Sequence, residues 1–193
     1  ATATGPDGET GLFSPCSTVG LVVDSTGDGG DSSLGDGACD DGSGNCTLRA
    51  AIEEVNASSS ADLIYFDIPG GGTHTIRPGF ALPDLISPVV IDGYSQPGAS
   101  ENTNSTSSNA VLLIEIDGTN AGVSAEGLKV RTSDTVIRGL VINRFNGAGI
   151  QLTDDAALAS TANNTVSGNF IGTDVTGMSP LPNAWGVNVG FSG

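Results

Sequence analysis

The sequence predicts an all-β protein, a parallel β-helix with a short N-terminal capping α-helix. Gly supplies 29 of the 193 residues and Lys only one, a composition that disfavours long helices and favours frequent turns. Short apolar runs, such as 63–66 and 111–114, alternate with stretches of Gly, Asn, Asp and Ser, as expected of short strands. Segments also recur at intervals of 22 to 29 residues.

These internal repeats carry the prediction of a solenoid. The tripeptide at 91–93 recurs at 116–118, the segment at 127–130 recurs at 149–152 and 186–189, and 137–142 aligns with 166–171. Periods of this length are typical of stacked coils, and the leucine-rich repeat signature is absent. A parallel β-helix is therefore predicted, with a β-sandwich as the alternative. The candidate strands are 19–23, 63–68, 74–77, 89–92, 111–117, 127–130, 135–143, 149–152, 165–171 and 186–189.

One helix is predicted over residues 47–56, with Thr47 as its N-cap. The charged residues Arg49, Glu53 and Glu54 are expected on its solvent-facing side. We expect the helix to cover an open sheet end, closing an N-terminal unit of residues 1–60 before coils at 61–193. The apolar face has the spacing i, i+3, i+4 and i+7 and consists of Leu48, Ala51, Ile52 and Val55.

The charge balance restricts the partners. The chain has 22 acidic and 6 basic residues, a formal net charge of −16, so nucleic acid is not an expected partner. No apolar run reaches the length of a membrane span. A metal ion or another cation fits the sign of the charge better.

An acidic loop between residues 24 and 41 is a candidate Ca²⁺ site, because hard cations prefer several oxygen ligands and Gly permits sharp turns. Its spacing does not match the EF-hand, and a solvated acidic loop is the alternative. The candidate ligands are Asp24, Asp28, Asp31, Asp36, Asp40 and Asp41.

The cysteines indicate an oxidising compartment. Cys39 and Cys46 flank a six-residue, turn-rich loop that is short enough to close as a disulfide, with pairing of Cys16 to either one as the alternative. The chain starts at Ala1 without Met, as a processed secreted protein does. We therefore expect an extracellular or cell-surface location.

Several segments resemble a known family. Residues 46–52, Cys-Thr-Leu-Arg-Ala-Ala-Ile, resemble the C-S-L-R-E-A-I motif that opens a family of bacterial secreted and surface proteins, and 88–98, 137–145 and 168–174 resemble its coil motifs. The resemblance implies a right-handed parallel β-helix and an extracellular or surface module.

Polysaccharide lyases and glycosidases use the same scaffold, and their catalytic groups are paired carboxylates or a basic side chain beside the sugar. Asp154 and Asp155 form the one adjacent acidic pair on the repeats, but the loop around them favours a solvated turn in a coil insertion. His74 has no partner motif. Four basic residues could line a groove for an acidic sugar, or pair outward with Glu126 or Asp134: Lys129, Arg131, Arg138 and Arg144. The candidate sugar-stacking aromatics are Tyr94, Phe145, Trp185 and Phe191, although Phe145 and Trp185 also fit core strands.

The end of the chain predicts self-association. The repeat unit at 186–189 is followed by four residues and no capping segment, so we expect either that the chain is part of a longer solenoid or that its open coil stacks head to tail into filaments. The sequence thus predicts a non-enzymatic extracellular or cell-surface module with a structural, adhesive or self-assembling role. The alternative is a polysaccharide-binding or polysaccharide-degrading protein.

Overall fold

A computed structural model of the chain describes residues 2–4, 10–12, 19–57, 61–154 and 161–191. These residues form one α-helix, α1 (Leu48–Ala57), and short strands. The strands are β1 (Thr2–Thr4), β2 (Thr10–Leu12), β3 (Val19–Val23), β4 (Ala61–Phe66), β5 (His74–Ile76), β6 (Val90–Asp92), β7 (Ile114–Asp117), β8 (Leu128–Val130), β9 (Val136–Arg138), β10 (Leu140–Asn143), β11 (Ala148–Asp154), β12 (Thr165–Ser167), β13 (Phe170–Ile171) and β14 (Trp185–Phe191).

The strands form three small parallel sheets. Their strand orders are β12-β9-β6-β4-β3, β13-β10-β7-β5 and β14-β11-β8, and a separate antiparallel pair joins β1 and β2. Each sheet collects strands from different regions of the chain, no sheet is closed, and α1 makes the architecture mixed. The predicted all-β right-handed parallel β-helix is therefore wrong. The repeats specify which strands can pair, but pairing of short strands does not by itself dictate closure into a solenoid.

The core consists of apolar rows that run across the sheets from strand to strand. In the five-stranded sheet, Leu21, Ile64, Ile91, Ile137 and Val166 are aligned by the parallel register. The first four are buried, and Val166 is partly buried against the same cluster. Because side chains alternate between the faces of a strand, this register puts one apolar residue of each strand in the same layer.

Helix α1 packs against β3 and β4 and buries the predicted apolar stripe. Thr47 caps it, accepting a hydrogen bond from the Ala50 amide at 3.0 Å. The expectation that Arg49 and Glu54 face solvent is wrong, since their exposed fractions are 3% and 0%. Both side chains find polar partners in neighbouring loops, which a helical-period argument does not take into account.

Arg49 ties the helix to two loops. Its Nε donates to Asp28 Oδ1 at 2.9 Å and its Nη2 to Asp28 Oδ2 at 3.2 Å. The same guanidinium donates to the carbonyl oxygens of Phe80 and Ala81 at 2.9 and 3.0 Å, and it lies 3.7 Å from the centre of the Phe80 ring. These four hydrogen bonds and the ring contact hold α1 against both loops.

Glu54 anchors the preceding acidic loop. Its carboxylate accepts hydrogen bonds from the backbone amides of Gly35 and Gly37. Both glycines have positive φ values, 83° and 84°, so the turn that presents these amides is one that Gly adopts readily. The loop is thus folded back onto α1.

The predicted disulfide between Cys39 and Cys46 is confirmed, with a Cα–Cα distance of 5.1 Å. Cys16 lies outside the described residues. Within the residues that the structure describes, no helix has the length and apolarity needed to cross a bilayer.

Removing the disulfide should destabilise the protein. We expect the Cys39→Ser/Cys46→Ser variant to lose about 2 kcal/mol of unfolding free energy, because the unfolded chain regains the entropy of a short closed loop. Urea denaturation followed by circular dichroism measures this. Reductant should lower the stability of the original chain by a similar amount and leave the variant unchanged; a variant as stable as the original chain contradicts the prediction.

Removing the Arg49 guanidinium should cost more than removing an exposed one. Arg49→Met should lose about 3 kcal/mol, since Asp28 loses its charged partner and two carbonyl groups lose a donor. Arg77→Met is the matched control: the Arg77 side chain is 54% exposed and its loss should cost about 1 kcal/mol or less. Equal losses in urea denaturation would show that α1 is not held by Arg49.

Candidate functional site

The acidic loop does not gather its carboxylates. Asp24 accepts from the Cys46 amide at 2.8 Å, Asp40 accepts from the amides of Gly42 and Gly44, and Asp28 pairs with Arg49. The side chains of Asp31, Asp36 and Asp41 likewise accept backbone amides, those of residues 40, 38 and 43. Among the described residues no group of three or more His, Cys, Asp or Glu could hold a metal ion. Calcium binding at this loop stays a prediction.

The four basic residues predicted to line a groove lie apart. Lys129 and Arg131, on and just after β8, share Asp84 at 3.5 and 3.1 Å. Arg138 is on β9 and Arg144 follows β10, in the other two sheets. Glu126 and Asp134 are the predicted ion-pair partners of these four residues. The ion pairs in the described part of the chain instead use Asp84, Asp92 and Asp117. The structure therefore does not bring these four cations into one groove.

Arg144 belongs to a polar cluster on the four-stranded sheet. Its Nη1 lies 3.1 Å from Asp117 Oδ2, which also accepts from Arg77 Nε at 3.1 Å. The neighbouring carboxylate, Glu115, accepts from Asn143 at 2.8 Å and Thr75 at 2.7 Å. Both carboxylates are buried and engaged by donors from three strands or strand ends, so the cluster is organised to hold the sheet together.

Charge and hydrogen bonding set the ionisation of Asp117. Burial alone raises the pKa of a carboxyl, but the hydrogen bonds from Thr119, the positive charge of Arg144 and the hydrogen bond from Arg77 outweigh it. The pKa of Asp117 is therefore held below its ordinary value of 3.8.

The remaining predicted residues are dispersed. His74 is buried on β5, and its Nε2 has no hydrogen-bond partner within the described part of the chain. Phe145 is a core residue, and Trp185 is exposed at the start of β14. Asp155 and the side chains of Asp154 and Phe191 lie outside the described residues.

The structure instead shows a polar cleft beside Tyr94, called here the Tyr94 cleft. It has a volume of about 310 Å³ and is lined by Tyr94, Glu101, Asn102, Arg138, Ser167 and Gly168. Arg138 Nη2 pairs with Asp92 at 2.7 Å, and its Nη1 lies 3.4 Å from Glu101. This volume is at the lower end of the range of small-molecule sites.

Tyr94 is fixed in place by glycines on two later strand turns. Its hydroxyl donates to the Gly168 carbonyl at 2.8 Å. A Cβ on Gly139 would stand 2.8 Å from Tyr94 Cδ2, and one on Gly168 would stand 2.5 Å from the hydroxyl oxygen. Both glycines also have positive φ, 73° and 63°. Only Gly lets the backbone approach the ring this closely.

The ionisation of the cleft is stable near neutral pH. Burial, followed by the charge of Glu101, raises the pKa of the Tyr94 hydroxyl, so it remains a neutral donor. The hydrogen bond to Asp92 raises the pKa of Arg138, which keeps its positive charge. The cleft thus combines an aromatic ring, one cation and one carboxylate.

Sequence reasoning identified Tyr94 and Arg138 but missed Glu101, Asn102 and Ser167. The available signal was the 29-residue repeat, which aligns Arg138-Gly139 with Ser167-Gly168 and so marks two glycines in equivalent turns. Glu101 and Asn102 come from an irregular loop without such a signal.

Comparison with protein-family models, curated proteins and solved structures finds no match. The resemblance of residues 46–52 to the C-S-L-R-E-A-I motif stays a prediction.

Acid should weaken the polar cluster through Asp117. A carboxyl with a lowered folded-state pKa contributes stability above its unfolded pKa, and this contribution is lost as pH falls through the folded-state value. The melting temperature should therefore fall between roughly pH 4 and pH 2. Asp117→Asn should melt lower at pH 7 and show a shallower acid dependence; parallel curves for the two proteins would contradict the prediction.

Proposed function

We propose that the chain is a non-enzymatic extracellular or cell-surface module that self-associates through residues 161–191, called here the C-terminal face, apart from Ser167 and Gly168, which line the Tyr94 cleft. The observation that carries this proposal is burial. None of residues 161–190 is buried, although β12, β13 and β14 pair in register with β9, β10 and β11, which contribute to the core. These three strands lie at the same end of their respective sheets.

The C-terminal face exposes four large apolar side chains. Val187 and Val189 continue rows formed by Ile150 and Leu152, yet they are 45% and 62% exposed. Trp185 and Met178 add exposures of 61% and 86%. A concentration of large apolar side chains at one place is typical of an interaction surface.

Charge favours a second copy as the partner. Asp174 is the one charged residue in 161–191, whereas the whole chain has a net charge of −16. Like charge would oppose contact between two copies over most of the surface. At the C-terminal face this repulsion is weak, and β12, β13 and β14, each at the edge of its sheet within the described residues, can form further backbone hydrogen bonds.

The position of α1 favours one arrangement of the two copies over the other. The helix contacts β3 and β4 and buries its apolar side chains there, at the opposite end of the five-stranded sheet. Head-to-tail stacking would place an open edge against this helix, whereas two C-terminal faces can meet each other. A closed, two-fold dimer is thus better supported than a filament.

The disulfide supports the extracellular location. The degradative alternative has less support, because the paired carboxylates Glu115 and Asp117 are already held by Thr75, Asn143, Arg77 and Arg144.

Light scattering coupled to size exclusion tests the dimer. The mass should rise from 19.1 kDa toward twice that value over about two decades of protein concentration. Val187→Glu should raise the dissociation constant at least about tenfold, because it buries a like-charge pair across the two-fold contact.

Val22→Glu is the matched control, since Val22 lies on β3 at the other end of the sheets and is 46% exposed. It should leave dimerisation unchanged. A chain that stays monomeric at all concentrations, or equal effects of the two substitutions, would refute the proposal.

A further inference from the structure

We propose that the Tyr94 cleft binds a neutral sugar unit of a glycan. The first reason is the aromatic ring. Tyr94 presents an apolar ring at the wall of a polar cleft, and sugar rings combine an apolar C–H face with hydroxyl groups around their edge. An aromatic side chain with a polar tip is suited to such a ligand, because it packs against the apolar face while its neighbours bind the hydroxyls.

The second reason is the set of hydrogen-bonding groups. Glu101 provides a carboxylate that accepts from hydroxyls, the Arg138 guanidinium donates to them, and Ser167 can do both. Hydrogen bonds to charged groups are shorter and stronger than neutral ones. The cleft therefore matches adjacent hydroxyls on one ring, and about 310 Å³ accommodates a ligand the size of one or two such rings.

The local charge selects a neutral ligand over an acidic one. Arg138 is engaged by Asp92 at 2.7 Å and approached by Glu101 at 3.4 Å, so two carboxylates accompany one cation. The net charge of −16 adds long-range repulsion toward anions. A uronate or sulfated sugar would meet repulsion here that a neutral hexose does not.

The cleft is also preorganised. The Tyr94 amide donates to Asp92 at 3.1 Å while the hydroxyl holds the Gly168 carbonyl, so the ring is fixed at both ends. The loop carrying Glu101 is closed by two backbone hydrogen bonds of 2.9 Å between Ser100 and Val111. Asn102 accepts amides of the same loop, those of residues 104 and 109. A rigid site loses little conformational entropy on binding.

Nuclear magnetic resonance titration of ¹⁵N-labelled protein tests the proposal. The probes are cellotetraose and mannotetraose as neutral glycans and an α-1,4-linked galacturonate trimer as the acidic one. At least one neutral probe should give saturable shifts confined to the amides of Glu101, Asn102, Gly168 and their neighbours. The acidic probe should give none. Absence of shifts with both neutral probes, or binding of the acidic probe alone, would overturn the proposal.

Two glutamate variants separate the cleft from a general surface effect. Glu101→Gln should weaken neutral-sugar binding about tenfold, since a charged acceptor is lost, and Glu126→Gln makes the same chemical change outside the cleft and should have no effect. Equal affinities for both variants would refute the role of Glu101.

A tyrosine variant tests the ring itself. Tyr94→Phe retains the ring and should retain most of the binding, whereas Tyr94→Ala should abolish it with the remaining spectrum preserved. If the Tyr94→Ala variant does not fold, the comparison of Glu101→Gln with Glu126→Gln still tests whether the sugar binds in the cleft. Val187→Glu should bind sugar normally, so failure of the dimer and failure of the sugar site are distinguishable.

Discussion

The constraint on which the rest of the structure depends is the parallel register of the three sheets. Once Ile64 lies beside Ile91 and Ile91 beside Ile137, every second residue of these strands is fixed in the core layer. A shift by one residue toward the carboxyl ends of the strands would bring Tyr65, Asp92 and Arg138 into this row in place of isoleucines. The same register carries the rows outward to Val166, Ile171 and Val187, where burial ends. The core and the proposed interaction surface are thus two ends of one pattern.

Register also explains the glycines that build the cleft. A Cβ on Gly93 would stand 2.2 Å from the Gly139 carbonyl oxygen, so successive strand turns approach closely at this point. That approach leaves room for the Tyr94 ring to lie against Gly139 and Gly168. The ring is held in this position by backbone that must be Gly, rather than by a shell of large side chains. A structural necessity of the turns therefore creates the aromatic wall of the proposed sugar site.

The sequence predicts the features that depend on local patterns and misses those that depend on long-range contacts. The 22-residue displacement from 128 to 150 and the 29-residue displacement from 137 to 166 correspond to strands that pair in register, because the same alternation recurs. The repeat linking 91–93 with 116–118 joins strands of different sheets, and closure into a β-helix was wrongly inferred. Helix α1 and the disulfide depend on short-range patterns and were predicted. The burial of Arg49 and Glu54, and the loop that brings Glu101 to Tyr94, depend on long-range contacts that composition and periodicity do not encode.

The scarcity of positive charge connects these features. All six basic side chains lie in ion pairs: Arg49 with Asp28, Arg77 and Arg144 with Asp117, Lys129 and Arg131 with Asp84, and Arg138 with Asp92. Each pair joins segments far apart in sequence, so the cations act as connectors between strands and loops. Few are then left to attract an acidic ligand, which is why the predicted basic groove does not form. The surplus carboxylates oppose contact between copies wherever they are exposed, whereas Asp174 is the one charged residue of the C-terminal face. The distribution of charge thus supports both proposals, a neutral ligand in the cleft and self-association through the C-terminal face.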